Sequence, residues 1–417
     1  MAPSMATPSR LARRLGTFDA VVIGLGSMIG AGVFAALAPA ARAAGNGLIV
    51  GLAIAALVAY CNATSSAQLA AIYPQSGGTY VYGRERLGHY WGFLAGWGFV
   101  VGKLASCAAM AMTFASYAAP ALARPVAAGA VVALTAVNYA GIKKTAVMSR
   151  VIVALVLAAL ATVATAIWLG GGADPARLWP IETSGPFGVL QAGGFLFFAF
   201  AGYARVATLG EEVIDPARTI PRAIPIALGL SLLVYAVVAA SALAGAGAER
   251  LATSSAPLAT AVEAGGLAEL SWVVRAGAAI ASLGVLLSLI AGVSRTTFAM
   301  ASGGDLPRFL AAVHPQNQVP HRAELLVGAA VAVAAAAGDL RWAIGFSSFT
   351  VLGYYAIANA SAWTLAKSEQ RWPRPLAAIG LVGCAALAFT LPLGSVLAGA
   401  GVLAAGSIAW GLRQVLR

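Results

Sequence analysis

Long uncharged, apolar stretches alternate with short polar ones along the whole chain. Stretches near the ~20 mostly apolar residues that a bilayer helix needs fall at roughly 18–41, 46–72, 89–119, 125–141, 149–170, 187–213, 220–246, 272–298, 323–338, 342–366, 375–391 and 394–413. Residues 376–412 carry no charge, too long a run for one crossing, so Pro392 and Gly394 are read as a hairpin turn between the last two. The pattern predicts an all-α polytopic membrane protein of twelve transmembrane helices behind a 1–17 N-terminal tail. The first ten residues lack the apolar core of a signal peptide, and the N-terminus is expected to be retained.

Composition agrees with the pattern. Of the 417 residues 60% are apolar and 10% charged, against about 25% charged in a soluble domain. A water-soluble globule is excluded. The net charge of +12 would suit a nucleic-acid partner if it were clustered, but no basic run exceeds Arg13-Arg14 or Lys143-Lys144. Loops on the side of the termini hold eighteen Lys and Arg, the opposite loops six (Arg42, Arg124, Arg177, Arg250, Arg275 and Arg341), and Lys103 and Arg205 fall inside spans. That bias puts both termini in the cytoplasm and accounts for the charge without nucleic acid. The expected surroundings are membrane lipid. The alanine-rich, lysine-poor composition points to a bacterial plasma membrane.

Cys61, Cys107 and Cys384 sit in apolar runs without a CxxC pair, so they are read as packing residues, with no metal site and no disulfide. His89, His314 and His321 lie at segment ends or in a polar loop and are read as solvated. No cofactor is implied.

Two spans carry helix breakers in mid-membrane. The first has Gly24, Gly26, Gly30 and Gly32 within nine residues, at about 1 kcal/mol per glycine relative to alanine. The sixth reads Phe197-Phe198-Ala199-Phe200-Ala201-Gly202-Tyr203 and stands at the same place in a second block of five spans. Paired interruptions of this kind point to a transporter site. An unwound helix at the midplane frees amides at one half-helix N-terminus and carbonyls at the other half-helix C-terminus. The amides attract a carboxylate and the carbonyls an ammonium, the two groups an amino acid carries on one carbon. Close helix packing through small residues is the competing explanation for these glycines.

The stretch from Gly26 to Phe34 resembles the first-helix signature of the amino acid/polyamine/organocation superfamily. Phe197 to Pro225 is similar to its sixth-helix motif and to that of its cationic amino acid transporter-like branch. Tyr73 to Tyr80 resembles the second cytoplasmic motif, and Ser294-Arg295 through Asp305 to Arg308 the one after helix eight. The resemblance spans about residues 17–325. It implies a LeuT-type inverted repeat, with five helices in 18–170, five in 187–366, broken helices 1 and 6, and two further helices in 375–413. It also implies a substrate site at Met28, Gly30, Ala31, Gly32, Phe198, Phe200, Ala201, Gly202 and Tyr203. In that site the amides of Gly30 to Gly32 receive the carboxylate, the carbonyls of Met28, Phe198 and Ala201 the α-amino group, and Phe198 forms an aromatic gate. Phe195 and Phe197 are read as lipid-facing or packed. Two departures stand out. Ala204 follows the Gly-aromatic pair where many members have an acid, and the helix-five lysine of proton-coupled relatives falls near Val156.

Four charged residues are candidates for coupling or gating. Lys103 lies some fifteen residues into the third span, ~22 Å deep at 1.5 Å per residue, where an unpaired cation costs ~2.5–3.5 kcal/mol. Arg205 is near enough to the helix end to snorkel. Glu211 and Glu212 end the same span, either as a solvated helix end or as partners of a cation in a cytoplasmic gate. Ser282, Ser288 and carbonyls near Gly24 could supply oxygens to sodium. The reading is a secondary transporter of small neutral amino acids, not an enzyme. An amine or polyamine carrier is its rival, and such a carrier needs a midplane acid that neither broken span contains.

Overall fold

The computed structural model describes residues 15–74, 77–141, 146–181, 185–207 and 212–415. The first expected span is one interrupted helix. Helix α1 (Thr17–Met28) stops at Ile29, whose ψ of 29° leaves the helical region, and α2 (Ala31–Ala44) restarts after Gly30 at ψ −145°. Then follow α3 (Leu48–Ile72), α4 (Thr79–Leu87), α5 (His89–Ala118), α6 (Ala123–Tyr139), α7 (Ala146–Leu169) and α8 (Gly185–Phe200). A 3-10 turn over Ala201–Tyr203 separates α8 from α9 (Ala204–Ala207). The remainder is α10 (Pro216–Thr253), α11 (Pro257–Ala264), α12 (Ser271–Ser302), α13 (His321–Ala337), α14 (Leu340–Trp363), α15 (Arg374–Thr390) and α16 (Leu393–Val415). The chain is thus an all-helical, multi-pass membrane protein.

Every expected span is helical over nearly all its described length. Among the described residues eight helical stretches are long and apolar enough to cross a membrane. Outside those eight, α13 and α15 have 17 residues each, and α14 is polar along its buried face at Ser347, Ser348, Thr350 and Asn359. The seventh expected span ends at Ala246, and the helix bends at the next residue, Gly247, whose φ of 74° is open to glycine. The turn between α15 and α16 falls at Leu391 and Pro392. Two helices, α4 and α11, were not expected. Neither is long or apolar enough to stand out as a span, and each lies across a face of the bundle.

Contacts between the connecting segments sort them into two layers. On the face from which α1 starts, Leu15 exchanges backbone hydrogen bonds with Glu212 and Ile214, Arg150 pairs with Asp19 at 2.5 Å, and Arg86 with Glu369 at 2.6 Å. That bond to Arg86 holds the Glu369 carboxyl below the usual carboxylate range. Asp305 accepts from Tyr80 at 2.8 Å and lies 2.8 Å from His89, while Arg413 donates to its carbonyl. Burial and the neighbouring Asp305 push the Tyr80 hydroxyl up to about 12, which keeps it a neutral donor. On the opposite face Asn46 donates to the carbonyls of Arg177 and Pro180, and Arg177 to that of Ala244. Arg42 donates to the Ala252 carbonyl, and Arg275 pairs with Glu263 at 3.3 Å. The helices therefore alternate in direction between the two faces.

The histidines depart from the solvated reading. His89 is bound to Asp305 and packs edge-on against Trp410, and the rings of His314 and His321 lie 5.5 Å apart. All three cysteines are buried. Cys384 joins a polar knot between α3, α14 and α15. Asn359 donates to Asn62 at 2.6 Å and to the Tyr355 carbonyl at 3.0 Å, Ser65 donates to Asn359 at 2.7 Å, and the Cys384 thiol lies 3.3 Å from Asn62 Oδ1. Each member is buried. Asn359→Ala leaves Ser65 without its acceptor and Asn62 Oδ1 with only the Cys384 thiol, and is expected to lower stability in detergent by about 1–2 kcal/mol, the upper range for polar contacts in membrane bundles. Ser65→Ala removes one bond and is expected to cost less than half of that. Thermal unfolding of the purified variants checks the order, and equal losses would contradict it.

Candidate functional site

The first break has local causes. Ser27 donates its hydroxyl back to the Ile23 carbonyl at 2.8 Å, a bond that competes with the helix at its end. The glycines then permit close approach. A Cβ on Gly30 would lie 2.2 Å from Val285 Cγ2, and one on Gly32 2.6 Å from the Ala199 backbone. No side chain caps the start of α2, so its first amides retain the positive end of a 14-residue helix.

The second break is pressed against the first. A Cβ on Gly202 would lie 2.1 Å from the Ser27 carbonyl oxygen, so the two unwound backbones touch. Helix α2 lies along α8, while α1 lies along the 201–203 turn and α9. The second half of one broken helix therefore packs on the first half of the other, which makes the two antiparallel. The C-termini of α1 and α8 converge where the N-terminus of α2 begins.

Two phenols serve the carbonyls at this junction. Tyr235 of α10 donates its hydroxyl to the Met28 carbonyl and lies 3.0 Å from the Ala199 carbonyl. Tyr355 of α14 donates to the Ala201 carbonyl at 3.2 Å and stacks on Tyr203 at 4.9 Å. Each of these carbonyls has a second lone pair. Neither tyrosine is among the expected site residues. The one signal for them was a phenol within a span, since a buried phenol takes a hydrogen-bond partner.

Of the expected residues, Met28, Gly30, Ala31, Gly32, Ala201, Gly202 and Tyr203 come together at the junction. Phe200 packs edge-on against Tyr235 at 5.0 Å and Phe197 against Tyr355 at 5.8 Å. Phe195, Phe197, Phe198 and Phe200 are all buried. None faces lipid. On α9, Arg205 lies 3.7 Å from Glu212, with both side chains about a third exposed. Glu211 lies outside the described residues.

Lys103 stands apart from the junction on α5. It is 6% exposed, its ammonium lies 6.0 Å from the Phe99 ring centroid, and no carboxylate among the described residues is within ion-pair distance of it. A row of rings leads from it to the second break. Phe99 packs on Tyr354 at 5.2 Å, Tyr354 on Tyr355 at 5.1 Å, and Tyr355 binds Ala201.

A narrow cleft lies behind the first break, lined by Gly26, Ile29 and Gly30, by Ile152, Val153 and Val156 of α7, and by Ala281 of α12. Every lining residue is apolar, Val156 included. Of the hydroxyls considered for sodium, that of Ser288 donates to the Gly284 carbonyl at 3.1 Å, whereas Ser282 Oγ is buried with no partner among the described residues. The junction is covered on both faces. Asp19 and Arg150 tie α1 to α7 on one side. On the other, Tyr117 donates to the Phe34 carbonyl at 3.1 Å and accepts from the Leu258 amide of α11 at 3.2 Å.

The model of the amino acid permease family matches residues 15–410. An uncharacterised transporter of Mycobacterium tuberculosis is 64% identical over 98% of this chain and 93% of its own length. The branched-chain amino acid permease of Bacillus subtilis is 26% identical over 87% of this chain and 83% of its own. A methylthioribose transporter of the same bacterium is 30% identical over 76% and 73%. With a family match that runs through both broken helices and on into α16, the chain belongs to the amino acid permeases of the amino acid/polyamine/organocation superfamily, a family of transporters and not of enzymes.

Proposed function

We propose that the protein is a secondary active transporter of small neutral amino acids in the bacterial plasma membrane, with twelve crossings and both termini cytoplasmic. It works by alternating access of one five-helix repeat against the other. The observation that carries this reading is the junction itself, where carbonyls of two helix C-termini meet beside the uncapped amides of α2. Helix termini favour opposite charge, and a zwitterion carries one group for each. The apolar side chains around the breaks, with Ala204 following Tyr203, support a substrate without a charged side chain. A polyamine would leave its second ammonium without a carboxylate at the described breaks. The branched-chain permease of B. subtilis supports the same class.

Lys103 is the group proposed to couple transport to protons. It is buried with no carboxylate among the described residues at ion-pair distance, and the ring row through Phe99, Tyr354 and Tyr355 links it to the Ala201 carbonyl. Asp19–Arg150 on the cytoplasmic side and Tyr117 on the outer side are the contacts that opening must break.

Proteoliposomes with the purified protein are expected to take up one or more of labelled alanine, serine, valine and leucine, faster with an inward proton gradient and not to concentrate putrescine. Uptake of putrescine alone would favour the amine carrier. Lys103→Gln is expected to flatten the pH dependence of uptake and prevent accumulation while amino acid exchange continues. An unaltered pH profile with unaltered accumulation would remove Lys103 from coupling.

Gly202→Ala forces a methyl group against the Ser27 carbonyl, where backbone and not a flexible side chain must yield. Substrate affinity is expected to fall at least about tenfold, or ~1.4 kcal/mol, with the protein still inserted in the membrane. Binding measured on the purified variant checks this, and wild-type affinity would detach the site from the junction.

A further inference from the structure

Tyr235 has a position that the transport reading alone does not require. Its hydroxyl reaches last-turn carbonyls of both broken helices at once, Met28 of α1 and Ala199 of α8. Last-turn carbonyls run short of amides from their own helix, and in a bilayer an unserved carbonyl must find a donor inside the protein. One O–H can give one full bond, so a single neutral donor is shared between two acceptors. The side chain is held there, 1% exposed, with its ring edge-on to Phe200. The residue belongs to α10, which is part of neither broken helix.

We propose that the Tyr235 hydroxyl occupies the place of a substrate ammonium in the empty carrier and that exchange of the two is what recognises primary amines. The proposal rests on the amino acid reading of the junction. An ammonium brings three donors and a full positive charge, whereas the phenol brings one donor and none. At two converging helix C-termini the charge is the better partner. An arriving ammonium bonds both carbonyls without sharing, and the phenol turns aside. After release the phenol returns, and the two breaks stay joined while the empty carrier resets. Tyr235 is thus a positioning residue with a clasp function. Net uptake needs the empty carrier to reset, while exchange needs only the loaded form, so the clasp affects the first and spares the second.

Tyr235→Phe keeps the ring and removes the donor. In proteoliposomes the variant is expected to exchange labelled L-alanine or L-valine within about twofold of the wild type, to bind them about fivefold more tightly for want of a competing hydrogen bond, and to lose at least about tenfold in net uptake. Parallel loss of exchange and net uptake, or no change in either, overturns the clasp. If the wild type moves neither amino acid by either route, the transport reading fails first, and the two failures are told apart by that control. A second measurement does not depend on recovering the variant. With 3-fluorotyrosine at position 235 of the otherwise wild-type protein, L-alanine is expected to shift the fluorine resonance and propionate, which lacks the ammonium, to leave it in place. A resonance unmoved by alanine, or moved equally by propionate, also overturns the proposal.

Discussion

The structure depends on one constraint: inside a bilayer each backbone amide and carbonyl must be served by the protein itself. A continuous helix meets it within one segment. An interrupted helix does not, and the interruptions at Ile29–Gly30 and Ala201–Tyr203 therefore dictate what surrounds them. Tyr235 and Tyr355 bring donors to the carbonyls of Met28, Ala199 and Ala201. The first amides of α2 have no side-chain cap, and in the proposed site they receive the substrate carboxylate. Glycine at positions 30, 32 and 202 lets the segments approach until backbone meets backbone or a branched side chain, and that closeness puts the ends of two helix dipoles in one place. Packing and binding are thus not rival explanations for these glycines. The same close approach makes the geometry of the proposed site.

The faces of the bundle are held in a different way from its middle. There the ties are charged or hydrogen-bonded side chains at the ends of helices, such as Asp19 with Arg150 and Tyr117 with Phe34 and Leu258. Exposed ion pairs contribute little, with a median of about 0–1 kcal/mol. The Asp19–Arg150 pair is of that kind, and a tie of that size suits a contact that the proposed alternating access would break. The Asn62–Asn359–Ser65 knot is buried between α3 and α14, where an unserved polar group is costly.

Much of this was legible in the chain. Apolar run length located the helices to within a few residues, and the breakers in the first and sixth spans marked both interruptions. The short helices α4 and α11 were not legible, because a helix lying on a face needs neither the length nor the hydropathy of a span. Nor were the partners of His89 or of Met28. Asp305 is 216 positions from His89, and Tyr235 is 207 from Met28, and local pattern carries no record of such pairings. The phenylalanines of the sixth span show the same limit. Their apolarity suits a lipid face and a packed one equally, and only the position of α2, α10 and α14 around them decides for the second.

A neutral junction has a consequence for coupling. Related proton-coupled carriers are expected to have a lysine where Val156 now lines an apolar cleft with Gly26 and Gly30, and an acid where Ala204 follows Tyr203. With both replaced, a substrate in the proposed site would meet only fixed backbone dipoles, and these do not change charge as the carrier turns over. The proposed proton coupling would then have to enter from outside the junction and be felt at it through packing. Lys103 is buried on α5, and the path from it to Ala201 runs through rings in contact and ends in one hydroxyl bond. Rigid aromatic rows transmit displacement well because interiors are close-packed, while they transmit no charge. Coupling by this route would therefore appear as a change in the geometry of the second break, with the electrostatics of the substrate site left as the backbone sets them.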